Sequence, residues 1–197
     1  MIVRFIDFFK NVFYYKWIFR SIKSRSVLRS ILKIEGAKNI DIGNHVIIGY
    51  KGWLAAVPHT GSMICELIIG DGCRIGNFNH IYATKSIIIE KYVLTADKVY
   101  ISDNLHGYEN INIPILQQVI QQKNTVIIGE GAWLGENVCI LGASVGKNSV
   151  IGANSVVTRN IPDYCVAVGS PAKIIKRFCF NSNKWKSTDQ EGNIRTD

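Results

Sequence analysis

The chain has 197 residues, 47% hydrophobic and 19% charged, a composition that excludes a disordered chain and is enough for one sizeable buried core. The formal charge of +8 is lopsided. Residues 1–33 hold eight basic side chains (Arg4, Lys10, Lys16, Arg20, Lys23, Arg25, Arg29, Lys33) against the one acid Asp7, and the rest of the chain is close to neutral, so no domain-wide nucleic-acid surface is expected.

Residues 1–35 are predicted to form a basic amphipathic helical cap. On a helix, Ile2, Phe5, Ile6, Phe9, Val12 and Phe13 share one stripe, opposite Arg4, Asp7 and Lys10. Carried further, the same helix would place Lys16, Arg20 and Lys23 on that stripe, so two pieces are expected with a break near Tyr14-Tyr15. Two uses stand open. The segment could cover the open end of the fold that follows, or lie on an anionic membrane surface through its charge and aromatic content, a peripheral contact of residues 1–33. No apolar run approaches the ~18 residues of a spanning helix, and the first thirty residues lack the pattern of a signal peptide. Five cysteines without a CxxC pair argue against a disulfide framework and a structural zinc site. They point to a reducing cytoplasm, at the inner membrane face if the second use holds.

From about residue 36 the chain acquires a period of six. Aliphatic residues recur at Ile42, Ile48, Leu54, then Ile69, Ile75, Ile81, Ile87, then Ile89, Thr95, Ile101, then Ile128, Leu134, Ile140, Val145, Ile151, Val157, many followed by Gly. Four places on sits a mostly small residue (Cys73, Val93, Val99, Ala132, Val138, Ser144, Ser149, Ser155), and several repeats carry Gly or Asn just before it. Such a period matches neither an amphipathic helix nor a long strand. It matches a short strand and a tight corner, three of which close a coil of about 18 residues whose neighbours stack as parallel sheets. A parallel β-helix is therefore predicted over 36–175, followed by a C-terminal helix and polar tail over 176–197.

Breaks in a solenoid mark its surface. Residues 55–67 and 103–124 leave the period, and excursions of that length are commonly functional. Between Ile140 and Val145 one residue is missing, so Leu141-Gly142-Ala143 must turn a shorter corner.

The repeat, together with Ile101-Ser-Asp-Asn-Leu-His106-Gly, Gly131-Ala-Trp133-Leu-Gly-Glu-Asn-Val138, Ile151-Gly-Ala-Asn-Ser-Val-Val-Thr158 and Gly169-Ser-Pro-Ala-Lys173, resembles the hexapeptide-repeat acyltransferases, most closely their sugar and polysaccharide O-acetyltransferase branch. The resemblance covers roughly residues 36–178. It implies an all-β, left-handed coil, a homotrimer with sites between neighbouring prisms, acetyl-CoA as acyl donor, and a sugar or bacterial surface polysaccharide as acceptor. His106 matches the catalytic histidine, and a neutral imidazole can accept the acceptor's proton near pH 7. Where the family often reads Ser-Asp-His-Asn-His-Gly, Asn104 and Leu105 replace the middle pair. Asp103 and Glu109 are both close enough in sequence to orient the imidazole. Trp133 matches a tryptophan near the acetyl group, and reads equally as a large apolar cover of the coil. The backbone N–H of Glu136 matches an oxyanion donor. Gly152 and Ala153 match positions that meet the pantetheine amides, and Thr158, Arg159 and Lys173 match the region of the nucleotide end, where two cations suit phosphates.

Rival readings are an N-acetyltransferase acting on an amino-sugar nucleotide, a zinc carbonic anhydrase, and a non-enzymatic scaffold. The second needs three convergent imidazoles, and the spacing of His45, His80 and His106 does not fit whole coils, so no metal is expected. The joint presence of His106, Trp133 and Gly152-Ala153 disfavours the third.

Overall fold

A computed structural model of the chain describes residues 10–189 and 191–195. The six-residue period becomes a three-sided prism of parallel strands. Face A carries Ser21–Ile22, Ile40–Ile42, Glu66–Ile69, Ser86–Ile89 and Val126–Ile128, continued by single bridges at Val145 and Ile161. Face B carries Val27–Leu28, Ile47–Ile48, Arg74–Ile75, Leu94–Thr95, Trp133–Leu134, Val150–Ile151 and Cys165–Val168. Face C carries Lys33–Glu35, Trp53–Ala56, His80–Ala83, Tyr100–Ser102, Cys139–Leu141 and Val156–Val157. The chain visits A, B and C in turn, so each C strand hands over to the next coil at one edge, the C–A edge.

The aliphatics of the repeat stack in register inside the prism. Leu54, Ile81, Ile101, Ile140 and Val157 line face C, and Leu28, Ile48, Ile75, Leu134 and Ile151 line face B, all buried. The small residues at the fourth place, from Cys73 to Ser155, fill the corners and are buried apart from the half-buried Ser144. Thr95 replaces an aliphatic in this column, and its hydroxyl is satisfied by the Gly76 amide at 3.0 Å and the Asn79 side-chain amide at 3.1 Å. The shortened step after Ile140 turns at Gly142, which adopts φ +61 as a tight corner requires.

The first coil begins earlier than expected. Residues 21–35 are not helical; they supply the first strand of every face, paired in parallel with the coil that follows. The reason is visible in the side chains, because Ile22, Leu28, Ile34 and Ile40 already keep the six-residue step. The helical part among the described residues is short: a π-helical turn, Lys10–Tyr14, runs directly into α-helix at Tyr15–Ile18, so a change of helix type, not a break between two pieces, falls at Tyr14-Tyr15. Tyr15 and Phe19 are buried in the core, and the Asn11 side chain bonds both the amide and the carbonyl of Leu28. These contacts fix the segment across the first coil. The apolar stripe expected at residues 2–9 lies outside the described residues, as does its side chain at Val12.

The C-terminal end is also corrected. Instead of a helix after residue 176, Lys173–Cys179 runs back antiparallel beside Cys165–Val168, and Lys184–Ser187 pairs antiparallel with it. Ile174 packs against the core from one side of this hairpin and the rings of Phe178 and Trp185 pack on each other on the other side, which favours a strand pair over an isolated helix.

Candidate active site

The second excursion is a braced hairpin. Asn104–His106 pairs antiparallel with Ile120–Gln122, His106 standing opposite Ile120. Its tip folds on Gln118, whose side-chain amide donates to the carbonyls of Asn110 and Ile113 at 2.9 and 2.8 Å. His106 projects from the stem into solvent.

Asp103 anchors the hairpin to the prism. Its carboxylate is fully buried and accepts from the amides of Thr84 (2.8 Å), Lys85 (2.7 Å) and Ser86 (2.9 Å), from the Thr84 hydroxyl (2.8 Å) and from the Asn104 side chain (3.1 Å). Those partners occupy both carboxylate oxygens. Glu109 is exposed and accepts a hydrogen bond from the Gln121 side chain across the hairpin. Among the described residues no hydrogen bond joins His106 to either acid, so the structure brings neither expected orienter onto the imidazole.

The two excursions meet. Each leaves the prism after a C strand, so both emerge on the C–A edge. Gln122 joins them: its carbonyl oxygen accepts from the Thr60 hydroxyl at 2.6 Å and lies 3.1 Å from that of Thr84, while its amide donates to the Asp103 carbonyl at 2.8 Å. Tyr82, on the same edge, bonds His59 of the first excursion through its hydroxyl, and its backbone carbonyl accepts from Asn104 at 3.4 Å. Sequence reasoning missed Thr60, Tyr82 and Gln122. The available signal was phase: both excursions follow the same side of the prism, two coils apart, so they leave from one edge.

The expected site residues fall into two groups. His106 stands on the hairpin that leaves the C–A edge, and Thr158 and Arg159 follow a face-C strand two coils, about 10 Å, further along the prism. Arg159 and Lys173 line one concavity with Asn160, Ala172, Ile174 and the acid Glu191, so the two expected phosphate cations share a surface that also holds one carboxylate. Trp133, Glu136, Gly152 and Ala153 belong to face B and its corner with face C. Trp133 is 48% exposed, between Leu94 and Val150 in the outward row. The corner column is tight: a Cβ on Gly135 would meet the Ala153 amide at 2.7 Å. The Glu136 carboxylate faces Lys98 at 3.4 Å. Face B lies across the prism from the C–A edge, so one prism does not place His106 and Trp133 on a common cleft.

Similar proteins carry the same repeat. A family model described as "Hexapeptide repeat of succinyl-transferase" matches residues 125–159. The chain is 36% identical over 128 residues, 61% of its length and 65% of the relative's, to "Putative lipopolysaccharide biosynthesis O-acetyl transferase WbbJ" of Escherichia coli (strain K12). It is 41% identical over 138 residues, 70% of its length and 44% of the relative's, to "Probable acetyltransferase Rv3034c" of Mycobacterium tuberculosis (strain ATCC 25618 / H37Rv). The match thus spans less than two thirds of either relative. Among solved structures, AntD, an N-acyltransferase from Bacillus cereus in complex with dTDP and 3-hydroxybutyryl-CoA, superposes with a TM-score of 0.72 at 19% identity, covering 85% of this chain and 87% of that one, a likeness of fold.

Proposed function

We propose that this chain, which belongs to the hexapeptide-repeat acyltransferase family, transfers an acetyl group from acetyl-CoA to a hydroxyl of a sugar or surface polysaccharide. The observation that carries the reading is the exposed His106 on a hairpin braced by Asp103 and Gln122, with the cations Arg159 and Lys173 on one concavity further along the prism. Left-handed winding of the prism and a cytoplasmic location belong to this reading.

The chemistry is a direct transfer. The His106 imidazole accepts the proton of the acceptor hydroxyl as its oxygen attacks the thioester carbonyl. The tetrahedral oxyanion takes a hydrogen bond from the Glu136 backbone amide. Collapse of the intermediate expels the CoA sulfur, which leaves as the thiol with the proton held on His106. Small residues at Gly152 and Ala153 let the pantetheine arm lie against the backbone, and Arg159 and Lys173 pair with the phosphates. Thr158 borders that nucleotide end.

His106 and the Trp133–Ala153 surface lie on different sides of one prism, so the reading calls for a homotrimer in which one protomer's hairpin meets its neighbour's face B. Sugar hydroxyls are favoured over an amino-sugar nucleotide because the relative with greater mutual coverage is named as a putative O-acetyl transferase of lipopolysaccharide biosynthesis.

A panel of bacterial glycans and amino-sugar nucleotides, incubated with labelled acetyl-CoA, tests the assignment. Transfer to a glycan hydroxyl is expected, with His106→Ala lowering turnover by ~10²–10⁴-fold at nearly unchanged acetyl-CoA affinity. Wild-type turnover in that variant removes the base, and acetylation of an amine alone replaces the acceptor class.

A further inference from the structure

The sequence leaves two uses open for the N-terminal segment, and its apolar stripe at residues 2–9 lies outside the described residues. The described turns that follow present two sets of side chains. Tyr15 and Phe19 turn inward and close the first coil. Trp17 (81% exposed) and Tyr14 (53%) face outward from the same turns, and Leu32 (63%) is exposed on the first coil. Lys10, Lys16 and Arg25, in the same stretch of chain, are exposed and, among the described residues, in no ion pair. Of the acids near this end among the described residues, Glu35 of the first coil is held by Lys33 and Trp53, and Asp41 by Arg20 and Ser21.

We infer that this end of the prism docks on an anionic lipid bilayer. Three observations select that partner. Among the described residues, the outward aromatic and aliphatic side chains are additional to those that close the core. The charge is confined to residues 1–33 while the rest of the chain is close to neutral, which orients the molecule end-on in the field of an acidic surface. Trp and Tyr next to Lys match the interfacial zone of a bilayer, where amphipathic rings settle at headgroup depth. A nucleic acid would use the lysines and the rings but has no place for Leu32. Among the described residues no helix is long and apolar enough to cross a membrane, so the contact is peripheral. Docking would hold the C–A edge upright above a surface that carries lipid-linked glycans.

The test uses the full chain and vesicles. Phosphatidylcholine vesicles containing about 30% phosphatidylglycerol should sediment the protein at low salt, and pure phosphatidylcholine should not. Because each basic residue near an acidic leaflet strengthens attachment roughly fivefold, Lys10→Glu/Lys16→Glu should weaken binding at least tenfold. Tyr14→Ser/Trp17→Ser should weaken it comparably and shift the thermal melt little, because, among the described residues, Trp17 is outside the core and Tyr14 touches it only through the Tyr15 ring. Failure of the wild-type chain to bind the anionic vesicles at low salt overturns the inference. So does wild-type binding by both double variants, or displacement of the vesicles by a single-stranded oligonucleotide.

Discussion

His80 and His106 show how little a residue type says without its setting. His106 stands on a hairpin in solvent, whereas His80 points outward from face C into a ladder of side chains: Trp53 stacks on it with ring centroids 4.0 Å apart and planes 8° from parallel, and Tyr100 tilts against it at 5.1 Å. Lys33 closes the far side of Trp53 at 4.5 Å, and Glu35 accepts the indole N–H at 2.8 Å. Burial pushes the His80 imidazole below its ordinary value; Glu35 opposes this and Lys33 adds to it, both more weakly. The unfolded chain therefore binds a proton at His80 at a higher pH than the folded one, which makes stability rise with pH across that window. His80's contribution is fully present above the ordinary imidazole value near 6.5 and is lost as the pH falls through it toward the lower folded value. Urea unfolding of the wild type should show reduced stability at about pH 5.5 relative to 7.5, and His80→Phe, which keeps the stack and removes the titration, should flatten that slope. An equal slope in the variant would place the pH dependence elsewhere.

At the scale of elements, the hairpin carrying His106 depends on the buried Asp103 carboxylate, whose three backbone donors at Thr84, Lys85 and Ser86 have no nearby substitute. Asp103→Ala should lower the unfolding free energy by about 3–5 kcal/mol, since each donor left unpaired costs about 1–3 kcal/mol and water recovers part of it. Asp103→Asn should cost less. A positioning role is separated from an orienting one by the pH–rate profile of the folded fraction. The profile should keep its wild-type shape in Asp103→Asn, and a displaced limb would restore the acid as the imidazole's partner. Most of the coil was legible because every inward position repeats with one period. The corners were less so. Gly72, Gly131, Asn137, Asn148 and Asn154 take the left-handed backbone expected of them, but so do His45, Phe78, Tyr92 and Lys98. For a side chain with a Cβ that conformation costs about 1–2 kcal/mol, and the inward stack of the repeat supplies more than that. A corner is thus dictated by its neighbours as much as by its own residue. The first coil was hidden for a related reason: Lys23 and Arg29 follow Ile22 and Leu28 where glycines follow later aliphatics, so the charge pattern masked the period. The C-terminal hairpin has no period at all, and only its pairing with Cys165–Val168 makes it a strand.

For the whole molecule, the proposed site calls for more than one copy. The hairpin leaves the C–A edge, while Trp133, Gly152 and Ala153 belong to face B and its far corner. No rotation of a single side chain closes the width of a prism. A cyclic assembly does, because a head-to-tail contact sets one protomer's edge against the next protomer's face, and three such contacts close a ring. Sequence motifs list both groups in one chain and are silent on which chain completes which site. Two variants, each inactive alone, separate the possibilities. His106→Ala removes the base from an edge and leaves its face B intact. Ala153→Trp fills an exposed corner position, so it obstructs the surface proposed for the pantetheine arm and leaves the hairpin intact. If sites are shared, denaturing and refolding the two variants together at equal concentration should restore about a quarter of wild-type activity. In a randomly mixed ring a site is intact when its edge comes from the second variant and its face from the first. If each prism carries a complete site, every site in the mixture keeps one lesion and activity stays at the level of the separate variants. Sedimentation of the refolded mixture, giving a trimer of the 22.1 kDa chain, confirms that subunits were available to exchange, and an active monomer of the wild type would remove the shared site altogether.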